Sequence, residues 1–255
     1  MGGKTKQSQR TKNNVRPSSS SRSAELLSNS VTVEGGLVTL GTGKVLPALF
    51  PSLAAANFDQ GLNPEFQMCI KKLNKKDPVT RTKALQELCE LVNKSNEDDV
   101  VAVLPSWAHF YKTLTIDVDR KVRETTQMCH GAVVRACGRR AAPQLKRLLP
   151  PWLQAQHDDH APAAALARSA LANTFPDSKL PEVISFCKAE VIAHLLDNLI
   201  GNAEAVITKK TENPEEREQQ LCRLAMSSLQ GLQYFCAHLP AAHAHWLWAE
   251  LTPLL

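Results

Sequence analysis

Three short constellations in this sequence hold side chains that could do chemistry. Gly41-Thr42-Gly43-Lys44 has the glycines and lysine of a phosphate loop, but the leading glycine is missing and Val45 stands where a Ser or Thr would hold Mg²⁺. Cys129-His130 sets a thiol beside a base, yet adjacent residues on a helix project about 100° apart and cannot face each other. His157-Asp158-Asp159-His160 gathers two imidazoles and two carboxylates, a metal-like set that no distant Cys or His group completes. An inter-helix turn with aspartate caps accounts for it. The seven cysteines (Cys69, Cys89, Cys129, Cys137, Cys187, Cys222 and Cys236) contain no C-x-x-C pair, which excludes a zinc finger or RING within these residues. We therefore assign no catalytic residue, no metal ligand and no cofactor to the segment.

Charge is the remaining chemistry. The net charge of +5 hides an asymmetry: residues 1–150 carry 23 Lys and Arg against 13 Asp and Glu, whereas residues 151–255 carry 7 against 12. A field of that shape favours polyanions at the N-terminal half. Lys4, Lys6, Arg10, Lys12 and Arg16 lie in an acid-free arm, and Lys71, Lys72, Lys75, Lys76, Arg81 and Lys83 concentrate around one turn. A second basic group (Arg120, Lys121, Arg123, Arg135, Arg139, Arg140, Lys146 and Arg147) follows, and in a repeat stack successive turns line up on one edge. Such an edge would neutralise phosphates of structured RNA through salt-dependent, largely sequence-blind contacts. The competing reading is a set of solvated helix faces.

The elements that must position these groups are helices. The chain is rich in Leu and Ala, poor in aromatics and without strand-like runs. Leu85, Leu88, Cys89 and Val92 fall at i, i+3, i+4 and i+7, and Leu145, Leu148, Leu149, Trp152 and Leu153 repeat the pattern. Ile184, Cys187, Val191, Leu195 and Leu199 form a third stripe. Leu221, Leu224, Ala225, Ser228, Leu229, Leu232 and Cys236 form a fourth. That last helix has a legible start in Asn213, Pro214, Glu215 and Glu216.

Internal echoes set the architecture. Leu104-Pro105-Ser106-Trp107 recurs as Leu149-Pro150-Pro151-Trp152, displaced by 45 residues. The acidic turn at Asp77 leading to Arg81 recurs as Asp117 and Asp119 leading to Arg123, and again weakly at Asp158-Asp159. A period of about 40–47 residues built from helix pairs is the signature of HEAT-type arrays. In such a turn the aspartate caps the second helix and the arginine bridges to the neighbouring repeat, which makes Asp77, Asp117, Asp119 and Arg123 the expected capping set. The expected fold is all-α: a HEAT/ARM-like α-solenoid of antiparallel helix pairs spanning residues 64–255, cut within a repeat at its C-terminal end. It follows a basic, disordered arm (1–27) and a loosely structured linker (28–63). The scattered cysteines read as reduced core residues of an intracellular protein. There is no signal-peptide core and no apolar run of membrane-spanning length, and a monomer in the cytosol is the default.

The assembled residues resemble the N-terminus of the listerin family. Met1-Gly2-Gly3-Lys4, Lys6-Gln7, Asn14, Arg16-Pro17-Ser18-Ser19-Ser20 and Ala24-Glu25-Leu26-Leu27 carry the first part of the likeness. It continues through Lys75-Lys76-Asp77, Lys83-Ala84-Leu85-Gln86-Glu87-Leu88, Trp107, Tyr111, Val122-Arg123-Glu124 and Ser227-Ser228-Leu229. The resemblance implies the N-terminal docking domain of a very long RING-type E3 ubiquitin ligase of ribosome-associated quality control. Such a domain would contact the RNA and proteins of the large ribosomal subunit that carries an obstructed peptidyl-tRNA, and a factor that senses that tRNA. Ubiquitylation of the nascent chain, recruitment of the E2 and zinc would all belong to a C-terminal RING, which this segment lacks. A rival reading is a non-enzymatic HEAT scaffold or transport-type adaptor that binds proteins along its concave face, with the arm as a nuclear import signal.

Overall fold

In the computed structural model the described residues are 31–34, 37–40, 44–46, 62–201, 207 and 213–252, the first three stretches as backbone. The basic arm, with Lys4, Lys6, Arg10, Lys12 and Arg16, and the loop Gly41–Gly43 lie outside them. Contacts divide the chain into two units, Met1–Gln60 and Gly61–Leu255. In the first unit strands β1 (Val31–Glu34), β2 (Leu37–Leu40) and β3 (Lys44–Leu46) pair antiparallel in the order β1-β2-β3, with Val31 opposite Leu40 and Leu40 opposite Lys44. These strands fall where the sequence reading expected little regular structure. The overlooked signal is the two-residue connection Gly35-Gly36, a favoured link between paired strands.

The described residues of the second unit form an all-α solenoid. Helices α1 (Pro64–Leu73) and α2 (Pro78–Lys94) make the first pair, and α3 (Glu97–Leu114) and α4 (Arg120–Cys137) the second. A 3₁₀ segment (Gly138–Gln144) leads into the third pair, α5 (Leu145–Ala155) and α6 (Ala161–Thr174). Partners pack on each other; α2, α4 and α6 stack as one layer, and α1, α3 and α5 as the other. Gly138, at φ 48°, ends α4 in a conformation that glycine adopts without Cβ strain, and so turns the chain toward the next pair.

The repeated tryptophans have equivalent roles. Trp107 on α3 and Trp152 on α5 are fully buried, and each donates its indole N–H to the second helix of its own pair, Trp107 to His130 Nδ1 at 3.2 Å and Trp152 to the Ala167 carbonyl at 3.0 Å. Large aromatic area is thus buried with its one polar atom satisfied. Pro105, Pro150 and Pro151 sit inside these helices.

After the third pair the regular alternation ends. The stripe from Ile184 to Leu199 is interrupted at Cys187 into α7 (Leu180–Phe186) and α8 (Lys188–Ile200). The long α9 (Pro214–His238) starts on an Asn213 cap whose side chain accepts from Glu215 N at 3.1 Å. It packs on α5 and α8, and α10 (Ala244–Leu251) follows. Its buried face overlaps the expected stripe only in part: Leu224 and Ser228 are inside as expected, Ser227, Gly231 and Phe235 join them, and Leu229 and Cys236 are exposed. The opposing helices explain the rotation. Gln154 donates to Ser227 Oγ (3.1 Å) and accepts from Asn198 (3.1 Å), and Asn198 also reaches Ser228 Oγ (3.2 Å). His194 Nε2 lies 2.9 Å from Gln154 Oε1 and completes the network. At Gly231 a Cβ would come within 3.3 Å of Leu195 and 3.5 Å of the Gln154 backbone, so close approach selects small and polar residues over leucines.

Candidate nucleic-acid interface

The site is built on the turns that join the two helices of each pair. Asp77 caps α2, accepting from Thr80 N at 2.8 Å, and Asp119 caps α4, accepting from Lys121 N at 2.8 Å and Val122 N at 2.9 Å. Arg81, one turn into α2, donates to the carbonyls of Lys75 (2.8 Å) and Lys76 (2.6 Å) and reaches Asp117 Oδ1 of the next turn at 2.8 Å. Asp117 caps no helix; its carboxylate also accepts from Asp119 N at 3.0 Å and so shapes its own turn. Arg123 repeats the device one pair later, on the carbonyls of Asp117 (3.0 Å) and Val118 (3.1 Å) and on Asp158 by a fork of 2.8 and 3.0 Å. Asp159 adds a 2.7 Å contact to the same guanidinium. Each arginine therefore closes its own turn and fastens the next. The fork is nearly dry, with side-chain exposures of 3% for Arg123 and 6% for Asp158. Burial pushes the Asp158 carboxyl up, and the Arg123 fork opposes that shift.

This ladder decides which cations face outward. Arg81 and Arg123 hold turns and present no open charge, so Arg81 drops out of the candidate RNA-binding set. Lys72 pairs with Glu87 at 2.6 Å. Lys71, Lys75, Lys76 and Lys83 are exposed around the first turn, and Arg120 is exposed at the start of the equivalent helix α4. Lys75, Lys76 and Arg120 border a trough of about 1110 Å³ that runs along this edge. The rest of the second basic group, from Arg135 onward, does not join it. Arg120 begins α4 and Arg135 lies in its last turn, so 15 steps of 1.5 Å rise carry the chain about 22 Å to the opposite edge. There Arg140 pairs with Asp98 at 2.6 Å and Lys146 with Glu190 at 2.9 Å. The expected single basic edge is thus two.

The reactive-looking groups sit in apolar or already paired surroundings. Burial raises the Cys129 thiol well above its usual range, Cys137 to about 11 and Cys187 to about 12. His130 is buried and pushed down to about 3 by desolvation; its ring stacks on Tyr111 with centroids 4.0 Å apart and lies perpendicular to Trp152 with centroids 4.2 Å apart. His160 contacts Glu124 at 3.1 Å and Asp158 is held by Arg123. Among the described residues no group of three His, Cys, Asp or Glu could hold a metal ion. One arrangement invisible in the sequence puts Ser185 Oγ 2.6 Å from His243 Nε2, like a nucleophile and its base. Lys188 lies 2.9 Å from His243 Nδ1 and has only protons to give, so Nδ1 accepts and the neutral ring carries its proton on Nε2, facing the serine. That tautomer cannot take the serine proton. Cys222 and Cys236 are exposed, against the expectation that every cysteine lies in the core. Among the described residues no helix is long and apolar enough to cross a membrane.

Residues 59–249 match the family model described as the N-terminal domain of E3 ubiquitin-protein ligase listerin. The chain is 39% identical over 243 residues to E3 ubiquitin-protein ligase listerin of Drosophila melanogaster, covering 92% of this chain and 14% of that protein. It is 37% identical to listerin of Gallus gallus over 257 residues (100% of this chain, 14% of that protein) and 37% identical to listerin of Mus musculus over 242 residues (94% and 14%). The chain thus spans about 14% of the length of these relatives. No solved structure matches it. The turn ladder and the outward cations are therefore features of a chain that belongs to the listerin family and matches its N-terminal domain.

Proposed function

We propose that this segment is the docking domain of a RING-type E3 ubiquitin ligase of ribosome-associated quality control. Its role is to hold the ligase on the large ribosomal subunit in the cytosol while an obstructed peptidyl-tRNA is still attached, beside the factor that senses that tRNA. Ubiquitin transfer and E2 recruitment belong to the whole ligase. The observation that carries the reading is the row of outward cations on the turn edge, Lys71, Lys75, Lys76, Lys83 and Arg120, mounted on turns that the arginine ladder makes rigid. Rigid spacing suits a fixed phosphate pattern, because little side-chain or loop entropy is lost on docking. Membership of the listerin family supports the object gripped.

The test is co-sedimentation of this chain with large subunits at physiological salt, wild type against K71A/K75A/K76A/K83A. The quadruple variant should bind at least tenfold more weakly, with a shallower dependence of log affinity on log salt. Equal binding and an equal slope would remove this edge from the interface.

A further inference from the structure

We propose a second, separate recognition site in the second unit: the groove across α2, α4, α6 and α7 binds an extended, acidic protein segment with a bulky apolar anchor. The groove has a volume of about 1390 Å³, above the range usual for small-molecule pockets, and crosses three successive helices of one layer. Helices that pack about 10 Å apart make it roughly 20 Å long, which about six residues of extended chain would fill. Its floor is made by small side chains: a Cβ at Gly131 would sit 3.4 Å from the Ala170 Cβ, so α4 and α6 meet closely and leave the surface open above them.

Three features of the lining point to the occupant. Met128 and Phe186 both line the groove and are 42% and 58% exposed, an apolar surface to receive a bulky side chain. Asn93 on α2 and Asn173 on α6 are exposed, and their amides make only long contacts within their own helices, 3.9 Å to Cys89 Sγ and 3.3 Å to Ser169 Oγ. A carboxamide offers both a donor and an acceptor, which matches the peptide unit of an extended chain. Between them Arg135 and Arg139 are exposed and have no carboxylate partner among the described residues, whereas Lys179 is already paired with Glu182 at 3.0 Å. The uncompensated charge is positive. It selects acidic side chains, which the first 23 residues of this sequence, with six basic residues and no acid, do not carry. RNA would satisfy the arginines but would not need the apolar floor or the amide row.

The experiment selects a phage-displayed random 12-residue library on the whole 255-residue chain, with counter-selection on R135E/R139E. Both positions are exposed, and an unchanged melting temperature checks that the variant folds. Enriched sequences should carry at least two Asp or Glu beside one Leu, Met or aromatic residue. A fluorescein-labelled selected peptide should bind R135E/R139E and M128E at least tenfold more weakly than wild type, and K71A/K75A/K76A/K83A equally well. Enrichment of neutral or basic sequences, no enrichment over counter-selection, or equal peptide affinity for R135E/R139E would overturn the proposal. So would displacement of the selected peptide by a uridine oligonucleotide whose own binding is lost in the same variant, because the groove would then be a nucleic-acid site. Loss of ribosome binding in the lysine variant with peptide binding retained separates this site from the turn edge.

Discussion

Replacing Arg123 with alanine removes the central rung of the turn ladder. The side chain makes a two-bond fork to Asp158, a 2.7 Å contact to Asp159 and bonds to the Asp117 and Val118 carbonyls. Truncation leaves the Asp158 carboxylate in a nearly dry site with the backbone N–H of His160 at 2.8 Å, the Asp159 carboxyl beside it and the charge of Arg223 as its remaining partners. Breaking a buried pair by removing one member costs about 3–5 kcal/mol, because the surviving charge loses its direct partner, and here Arg223 offsets only part of that. Against a total of roughly 5–15 kcal/mol this is a large share, equivalent to a fall of about 6–20 °C in melting temperature for a domain of this size. Equilibrium denaturation in urea should give that loss for R123A, and hydrogen exchange should show protection lost first where α4 meets α6. K121A is the control: its pair with Glu124 is half exposed and worth under about 1 kcal/mol. The cycle through D158A should report a coupling of at least about 2 kcal/mol. A loss for R123A no larger than for K121A would refute the account in which the ladder fastens the repeats.

Two histidines, the buried His130 and the half-buried His194, make stability depend on pH. Burial lowers His130 to about 3 and His194 to about 4, so between roughly pH 6.5 and those values the unfolded chain takes protons that the folded chain refuses. The stabilisation is complete above the unfolded value and is lost as pH falls. At pH 5 each histidine should cost about 2 kcal/mol relative to pH 7.5, and equal melting temperatures at the two pH values would contradict this. G231L should cost about 1–3 kcal/mol by forcing α9 away from Gln154 and Leu195, with a loss of near-ultraviolet dichroism; a neutral result would mean the approach is loose. D119A should cost about 1–2 kcal/mol in urea denaturation, since two backbone N–H groups at the start of α4 lose their acceptor.

The legible features share one property, that they are local. The stripe Leu85, Leu88, Cys89 and Val92 is buried as its spacing requires, and the cap at Asn213 and the equivalence of Trp107 and Trp152 follow from a few neighbouring residues. Where a second element intervenes, local pattern misleads. Leucine and cysteine at 229 and 236 outrank Ser227 and Gly231 on any hydropathy scale, yet α9 turns the small residues inward because Gln154 and Asn198 present polar groups there and the backbones approach too closely for larger ones.

The basic cluster divides the two kinds of information most sharply. Sequence by itself determined the helices, their pairing period, the aspartate turns and the excess of positive charge in residues 1–150, because periodicity, capping and charge count are properties of the chain. Only the tertiary structure decided which cations face outward. Arg81 and Arg123 look no different from Arg120 along the chain, but the neighbouring turn supplies Asp117 and Asp158 to the first two. Helix length carries Arg135 and Arg139 away from the turn edge and leaves them on a groove between helices. Desolvation and partner choice depend on what packs across the stack, and that is set by residues about 40 positions away.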